Sequence, residues 1–291
     1  ATAGVGAVAG GTVRLQAQTG ALTLDASVQA GTVLTVLAQG AITQTAAGDL
    51  GAGGTVDVQS FAGAIAMDDG ALAHTAGGNV RYAAATTLTL GEIDAGAGRV
   101  SLIAGGSILD NASEAVPGTV DVWATELRLQ AGGSIGAGGH AIETAVGTLS
   151  ARASGDLFVS ERDALAVDTT AAIGVDRVGS DGVAVALDAD AAQSDLRTGG
   201  ALALTTQAGA LVLNGGSDGD QRAVEAGGSV LLQAGGLGSD LLVNADVRST
   251  GGGLTLRAAD ELILVAATSV SAAATASLAA QGGALTLAGT A

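Results

Sequence analysis

The chain of 291 residues has no cysteine, no lysine, a single proline and almost no aromatic side chains. Without cysteine it can build neither a disulfide framework nor a thiolate metal site. Aromatic residues bury the most area each, and here they make up only 1% of the chain. One large round core is therefore not expected. A narrow core of valine, leucine, isoleucine and alanine, repeated many times, suits this composition.

Positive charge is also scarce. Eleven basic residues, all of them arginine, face 28 acidic ones, which gives a formal net charge of −17. Such a surface repels nucleic-acid phosphates, so we expect no nucleic-acid partner. Charged residues amount to 13%, and apolar residues recur at regular intervals. This regularity distinguishes the chain from a disordered one, in which too little apolar surface is available to fold.

A long uncharged stretch ends the sequence, because no charged residue follows Glu261. Its length would permit a membrane span. Serine and threonine dilute it, however, and Gln281-Gly282-Gly283 interrupts it. We therefore expect no membrane span.

The main positive signal is an internal repeat, in which one or two glycines precede alternating apolar and polar residues. Alternation with a period of two is typical of a strand with one buried face. It places Val13 and Leu15 inward, and Arg14, Asp57 and Arg128 outward. Clear copies of the unit begin at residues 10, 53, 228, 252 and 282.

The spacing of the strands predicts the fold. Apolar segments recur about every eight residues and strong strands about every 25, one of them expected from residue 183. We predict an all-β, right-handed parallel β-helix of about 12 coils, a single segment over residues 1–291. Coils stacked about 4.8 Å apart would make a rod roughly 55 Å long. Glycines fit the corners, and Pro117 is expected at one of them.

Neither end of the sequence shows a capping pattern. Residues 1–17 and 283–291 read as ordinary repeat. Solenoids usually shield their terminal strand edges, so we expect uncapped ends and a place in a longer array. Self-association, end to end or laterally, is the corresponding expectation for partners.

Several segments resemble the giant filamentous haemagglutinin-like adhesins of bacterial surfaces. The resemblance covers most of the chain through loose motifs, at residues 132–136, 144–153, 155–161 and 240–247. It implies a right-handed β-helix, an extracellular location at the bacterial surface, and a role in adhesion, aggregation or biofilm matrix. The secretion domain that opens members of that family is not in this sequence.

Two acidic, glycine-rich segments are candidates for binding. Residues 168–182 and 214–228 lengthen the interval between strands and are expected to form outward loops. Their acidic residues include Asp176, Asp181, Asp218 and Asp220. As a binding module, the chain would use these loops to contact a receptor or glycan; as solvated connectors, the loops would do nothing further.

One stretch fits the nonapeptide of calcium-binding β-rolls. Residues 235–243 match GGxGxDxUx and offer Asp240 as the ligand. The motif works through tandem copies, and the neighbouring nonapeptides lack its aspartate. We therefore expect no cofactor and no tight calcium site at Asp240. His74 and His140 lack metal-ligand spacing.

Catalysis is the third possibility. Glu161, Asp163 and Asp168 could form paired carboxylates on a β-helix face, as in enzymes that cleave polysaccharides. Those enzymes also need aromatic platforms for sugars, which this chain hardly supplies. The sequence therefore favours a non-catalytic structural rod, with a binding module and a polysaccharide-active enzyme as alternatives.

Overall fold

The computed structural model describes residues 2–3, 7–111, 119–187 and 189–288. These residues form 34 strands and no helix. Nearly all strands pair in parallel and stack into a β-solenoid of about 12 turns, which confirms the predicted fold class. Pro117 and the last three residues of the uncharged C-terminal stretch lie outside the described ranges.

Three parallel ladders run along the solenoid. The first ladder consists, in stacking order, of β1 (Thr2–Ala3), β4 (Leu22–Leu24), β7 (Ile42–Gln44), β10 (Ile65–Met67), β13 (Leu88–Leu90) and β16 (Ile108–Asp110). Single bridges through Ile135 continue it to β19 (Leu157–Glu161). It then runs through β24 (Leu202–Thr206), β27 (Val230–Ala234), β30 (Leu254–Ala258) and β33 (Ala276–Ala280).

The second ladder begins with β2 (Ala7–Ala9), β5 (Val28–Ala30), β8 (Leu50–Ala52), β11 (Leu72–Thr75) and β14 (Glu92–Asp94). It passes through the first halves of two long strands, β17 (Val122–Ala131) and β18 (Ile142–Ala153). It ends with β20 (Leu165–Val167), β25 (Leu211–Leu213), β28 (Leu241–Val243), β31 (Leu262–Leu264) and β34 (Leu285–Leu287).

The third ladder contains β3 (Val13–Ala17), β6 (Leu34–Ala38), β9 (Val56–Ser60), β12 (Val80–Ala84) and β15 (Arg99–Ala104). The second halves of β17 and β18 extend it to β23 (Leu196–Thr198), β26 (Arg222–Ala226), β29 (Asp246–Ser249) and β32 (Val270–Ala272). Because β17 and β18 run through the corner between two ladders, they join the second and third ladders into one sheet.

The core is one continuous column. Its buried residues are leucine, valine, isoleucine and alanine, with Met67 and Tyr82 as the exceptions. Pairing in register places apolar side chains of one coil directly over apolar side chains of the next, so each coil covers the apolar face of its neighbour. One inward column of the third ladder comprises Val13, Leu34, Val56, Val80, Val100, Leu127 and Leu149.

Corner glycines let successive turns approach closely. A Cβ built on Gly78 would lie 2.0 Å from the carbonyl oxygen of Gly54, one coil below. No side chain fits there without moving the backbone. In contrast, a Cβ on Gly138 would meet nothing within 4 Å.

One sequence-based prediction was wrong: the strand expected from residue 183 is not a solenoid strand. Residues 168–195 leave the solenoid between β20 and β23 and form an antiparallel hairpin. Its strands are β21 (Asp176–Val178) and β22 (Ala184–Ala186), extended by bridges from Thr170 to Gln193 and from Ile173 to Asp190. A period of two marks any half-buried strand, so it could not separate a hairpin strand from a coil.

No helix suited to crossing a bilayer occurs within the described ranges.

Candidate binding groove beside the hairpin

The hairpin, residues 168–195, lies back along the outer face of the third ladder. Its backbone bonds to threonines that point away from the core: Val178 N–H donates to Thr35 Oγ1 at 2.9 Å, and Asp176 N–H donates to Thr55 Oγ1 at 3.0 Å. Near the tip, Thr12 Oγ1 donates to the Gly182 carbonyl at 3.1 Å. The hairpin therefore reaches from β18 back to the first coils.

Ion pairs also stabilise the contact between the hairpin and the third ladder. Asp57 Oδ2 lies 2.7 Å from Arg177 Nε on the hairpin, and Asp57 Oδ1 lies 3.2 Å from Arg81 in the next coil. Arg81 Nε also binds Asp190 Oδ2 of the returning strand at 3.0 Å. Asp57 does point away from the core, as predicted, but the hairpin covers it completely.

Apolar side chains complete the interface. Ile173, Val175 and Val178 of the hairpin are buried, although they lie outside the main core. Leu37 and Ala83, which are on the outer face of the third ladder, are buried as well. The segment 168–182 thus mostly packs against the solenoid and links its coils; we call this contact the brace.

A groove of about 740 Å³ opens where the base of the hairpin meets the loop of residues 214–228. Its walls come from residues 191–193 of the hairpin, from Glu225 of the second segment proposed for binding, and from β15, β17, β18 and β23; the lining does not include the first segment, residues 168–182. The charged and amide side chains along it are Arg128, Gln130, Arg152, Gln193, Arg197 and Glu225.

Three arginines in this groove contrast with the acidic character of the chain. Arg128 is 7% exposed and is held by the Ala191 carbonyl and by Gln130 Oε1. Burial lowers the pKa of Arg128, and neighbouring Arg152 acts in the same direction. The Arg152 side chain is exposed, and its guanidinium makes no hydrogen bond or ion pair with any residue that the structure describes. Arg152 is thus free to bind an anionic group.

Asp218 and Asp220, the acidic residues proposed for binding in segment 214–228, face the solenoid. Asp218 Oδ2 lies 3.6 Å from Arg197, and Asp220 forms a close ion pair with the same guanidinium. Asp195 adds a third carboxylate at 3.1 Å from Arg197. Burial raises the pKa of Asp195 to about 7, with repulsion from Asp218 as the next contribution.

The predicted acids of the first segment separate along the hairpin. Asp176 is partly buried next to Thr55, while Asp181 is exposed at the tip and accepts a hydrogen bond from Val183 N–H at 3.0 Å. The structure therefore brings Asp218 and Asp220 together and leaves Asp176 and Asp181 apart from them.

The carboxylate of Asp240 stabilises a turn. Its Oδ1 accepts a hydrogen bond from Glu261 N–H at 3.0 Å, and its backbone carbonyl accepts one from Leu211 at 2.9 Å. Among the residues described, the two acidic clusters compact enough for a cation do not include Asp240. That Asp240 forms no tight calcium site stays a prediction.

Two of the three carboxylates suggested for catalysis, Glu161 and Asp168, make contacts within the fold. Glu161 points into the solenoid, is fully buried, and accepts hydrogen bonds from Thr144 Oγ1 at 2.7 Å and Val146 N–H at 3.1 Å. Burial raises its pKa to about 7. Asp163 is exposed, and Asp168 binds the amide of Asn214 at 2.9 Å.

Sequence reasoning placed Arg128 on the outer face but did not connect it with Arg152 and Arg197 as a site. Arg128, Arg152 and Arg197 fall on outward positions of consecutive coils of the third ladder, with Arg152 paired to Arg197 in the register. A search for outward arginines in successive repeats would have found them, but the position of the hairpin that builds the other wall is not encoded in any local pattern.

The fold and the groove define a parallel β-solenoid braced by its own hairpin. No protein-family model matches this chain, and no curated protein or solved structure is significantly similar to it.

Proposed function

We propose that the chain is a structural rod segment of a secreted bacterial surface adhesin or extracellular filament. The observation that carries the proposal is the single uninterrupted core, which includes buried residues from Ala17 to Leu264. A core that repeats the same contacts in every coil makes the solenoid long and stiff. About 12 turns at about 4.8 Å correspond to roughly 55 Å of reach.

The hairpin supports the same role. A solenoid is held together mainly by contacts between neighbouring coils, so it can separate between any two of them. Residues 170–182 contact coils from β18 back to β3 and tie distant coils together. This brace is expected in a rod that must resist separation.

A replacement experiment tests the proposal. In the gene that encodes this chain, the segment would be exchanged for an unrelated β-solenoid of equal length and, separately, for one of half the length. A rod predicts that surface attachment survives the equal exchange and weakens with the short one. Loss of attachment in the equal-length exchange, with normal surface display, would contradict it.

The exposed guanidinium of Arg152 favours a second candidate, a binding module for anionic groups such as the carboxylates of an acidic glycan. Arg152→Gln would then reduce retention on a carboxylated glycan surface about tenfold or more, the loss of one charge-assisted contact. Arg257→Gln is the control, since Arg257 is an exposed arginine outside the groove. Equal retention of both variants and the parent would remove this candidate.

A further inference from the structure

Arg197 lines the groove, but carboxylates of the chain itself occupy its terminal nitrogens. Asp195 and Asp218 lie 3.1 and 3.6 Å from Nη2, and Asp220 forms a close ion pair with the same atom. Glu225 lies 3.3 Å from Nη1. One guanidinium therefore meets four carboxylates, and three of them share a single nitrogen.

Arg152, in the neighbouring coil, has no such partners. The register pairs Arg152 with Arg197 and Arg197 with Glu225, so these side chains follow one another along the outer face of the third ladder. Neighbouring strands lie about 4.8 Å apart. Both arginines line the groove, and Arg152 makes no ion pair with any residue that the structure describes. The two guanidinium groups are thus near enough to bind anionic groups of one ligand.

The carboxylates around Arg197 also repel one another. Burial raises the pKa of Asp195 to about 7, and the charges of Asp218 and Asp220 add to that rise. Oδ1 of Asp195 and Nε of Arg197 are buried and have no hydrogen-bond partner among the residues described. Buried polar atoms without partners and crowded like charges both cost free energy. Moving Asp218 and Asp220 away from Asp195 would relieve this repulsion.

Asp218 and Asp220 belong to a turn, residues 215–220, that has few other attachments. No backbone hydrogen bond joins this turn to any other part of the chain that the structure describes. Ser217 holds it through Thr169: Ser217 N–H donates to Thr169 Oγ1 at 2.7 Å, and that hydroxyl donates to Ser217 Oγ at 3.0 Å. Three of the six residues are glycine, which lets the turn change conformation at low cost.

We propose that Arg152 and Arg197 together bind carboxylates of an acidic glycan, and that Asp218 and Asp220 compete with the glycan for Arg197. Such binding rests on the second proposed function, the module for anionic groups, and not on the rod. A carboxylate of the glycan and one of the turn offer the same acceptor to a guanidinium. The exchange keeps the ion pair of Arg197, adds one at Arg152 and releases the two aspartates into water.

The experiment measures retention of the full chain on polyglucuronate, a glycan with a carboxylate on each sugar, and on uncharged dextran. Asp218→Asn combined with Asp220→Asn removes the competitor. This double variant should be retained on polyglucuronate about threefold or more better than the parent, because apparent affinity rises with the fraction of sites that is free. Neither protein should be retained on dextran.

Two further variants isolate the effect. Asp68→Asn combined with Asp163→Asn removes the same charge at exposed positions outside the groove and should stay within about twofold of the parent. Adding Arg197→Gln to the variant without the competitor should cancel its gain. The β-sheet circular dichroism of each variant is compared with that of the parent.

Competition by the turn is overturned if the Asp218→Asn, Asp220→Asn variant is retained no better than the charge-matched control, or if its gain survives Arg197→Gln. If Arg152→Gln still reduces retention in that case, the binding module stands without a competitor. If neither the parent nor any variant is retained on polyglucuronate more than on dextran, the binding module falls together with its competitor.

Discussion

Glu161 is the residue at which the fold sets the clearest dependence on pH. Its carboxylate is fully buried and accepts hydrogen bonds from Thr144 and Val146. These bonds favour the charged form, but the loss of water outweighs them, and the pKa rises from 4.5 to about 7. Between these two values the folded chain holds a proton that the unfolded chain has released.

Stability should therefore fall as the pH rises from about 4.5 to about 7. At 1.36 kcal/mol for each pKa unit, Glu161 contributes a loss of ~3 kcal/mol in the free energy of unfolding across this range. Urea unfolding at pH 5 and pH 8 measures it. Asp195, whose pKa is also raised to about 7, acts in the same direction, so Glu161→Gln should reduce the difference between the two pH values by ~3 kcal/mol without abolishing it. An undiminished difference would contradict the assignment.

Gly78 tests how tightly the corners pack. Gly78→Ala would place a Cβ 2.0 Å from the Gly54 carbonyl oxygen, so the coils must separate locally. We expect a loss of about 1–3 kcal/mol, as for other overpacked sites. Gly138→Ala is the matched control in open space and should be close to neutral. Thermal unfolding compares the two; equal melting temperatures would show that the corners can relax.

At the scale of elements, the hairpin depends on Asp57, which has Arg177 on one side and Arg81 on the other. Asp57→Asn leaves Arg177 without its charged partner in a largely buried site, at a cost of about 3 kcal/mol. Amide hydrogen exchange of residues 173–187 should accelerate, because the hairpin opens more often while the solenoid core stays closed.

Asp181→Asn at the exposed tip is the control and should leave the exchange of residues 173–187 unchanged. If the amide hydrogens of residues 173–187 exchanged at the parent's rate in Asp57→Asn as well, contacts other than Asp57 would have to hold the hairpin.

The hairpin also marks where prediction from sequence reached its limit. Alternation at Val13 and Leu15 predicted strands correctly, because a half-buried strand has the same period wherever it lies. The same alternation after residue 183 wrongly predicted a solenoid strand there. Asp57 was correctly placed on the outer face, but its burial depends on a segment about 120 residues away in sequence. Contacts of such long range have no local signature, and Arg152 and the groove were missed for the same reason.

At the scale of the whole molecule, the hairpin divides the rod into two parts. Coils from β3 to β18 lie beneath it, whereas the coils from β24 onward are joined by nearest-neighbour stacking. In a stacked array, stability is roughly a sum of such neighbour terms. The braced part should therefore unfold as one unit, and the unbraced part coil by coil.

Pulling single molecules from both ends tests the account of a braced rod most directly. The coils after β24 should unravel in separate steps of about 80 Å, the extended length of about 24 residues. The coils beneath the hairpin should then release together in one larger step at higher force, and Asp57→Asn should lower that force. A single extension of the whole chain, or release of the braced coils first, would contradict the account.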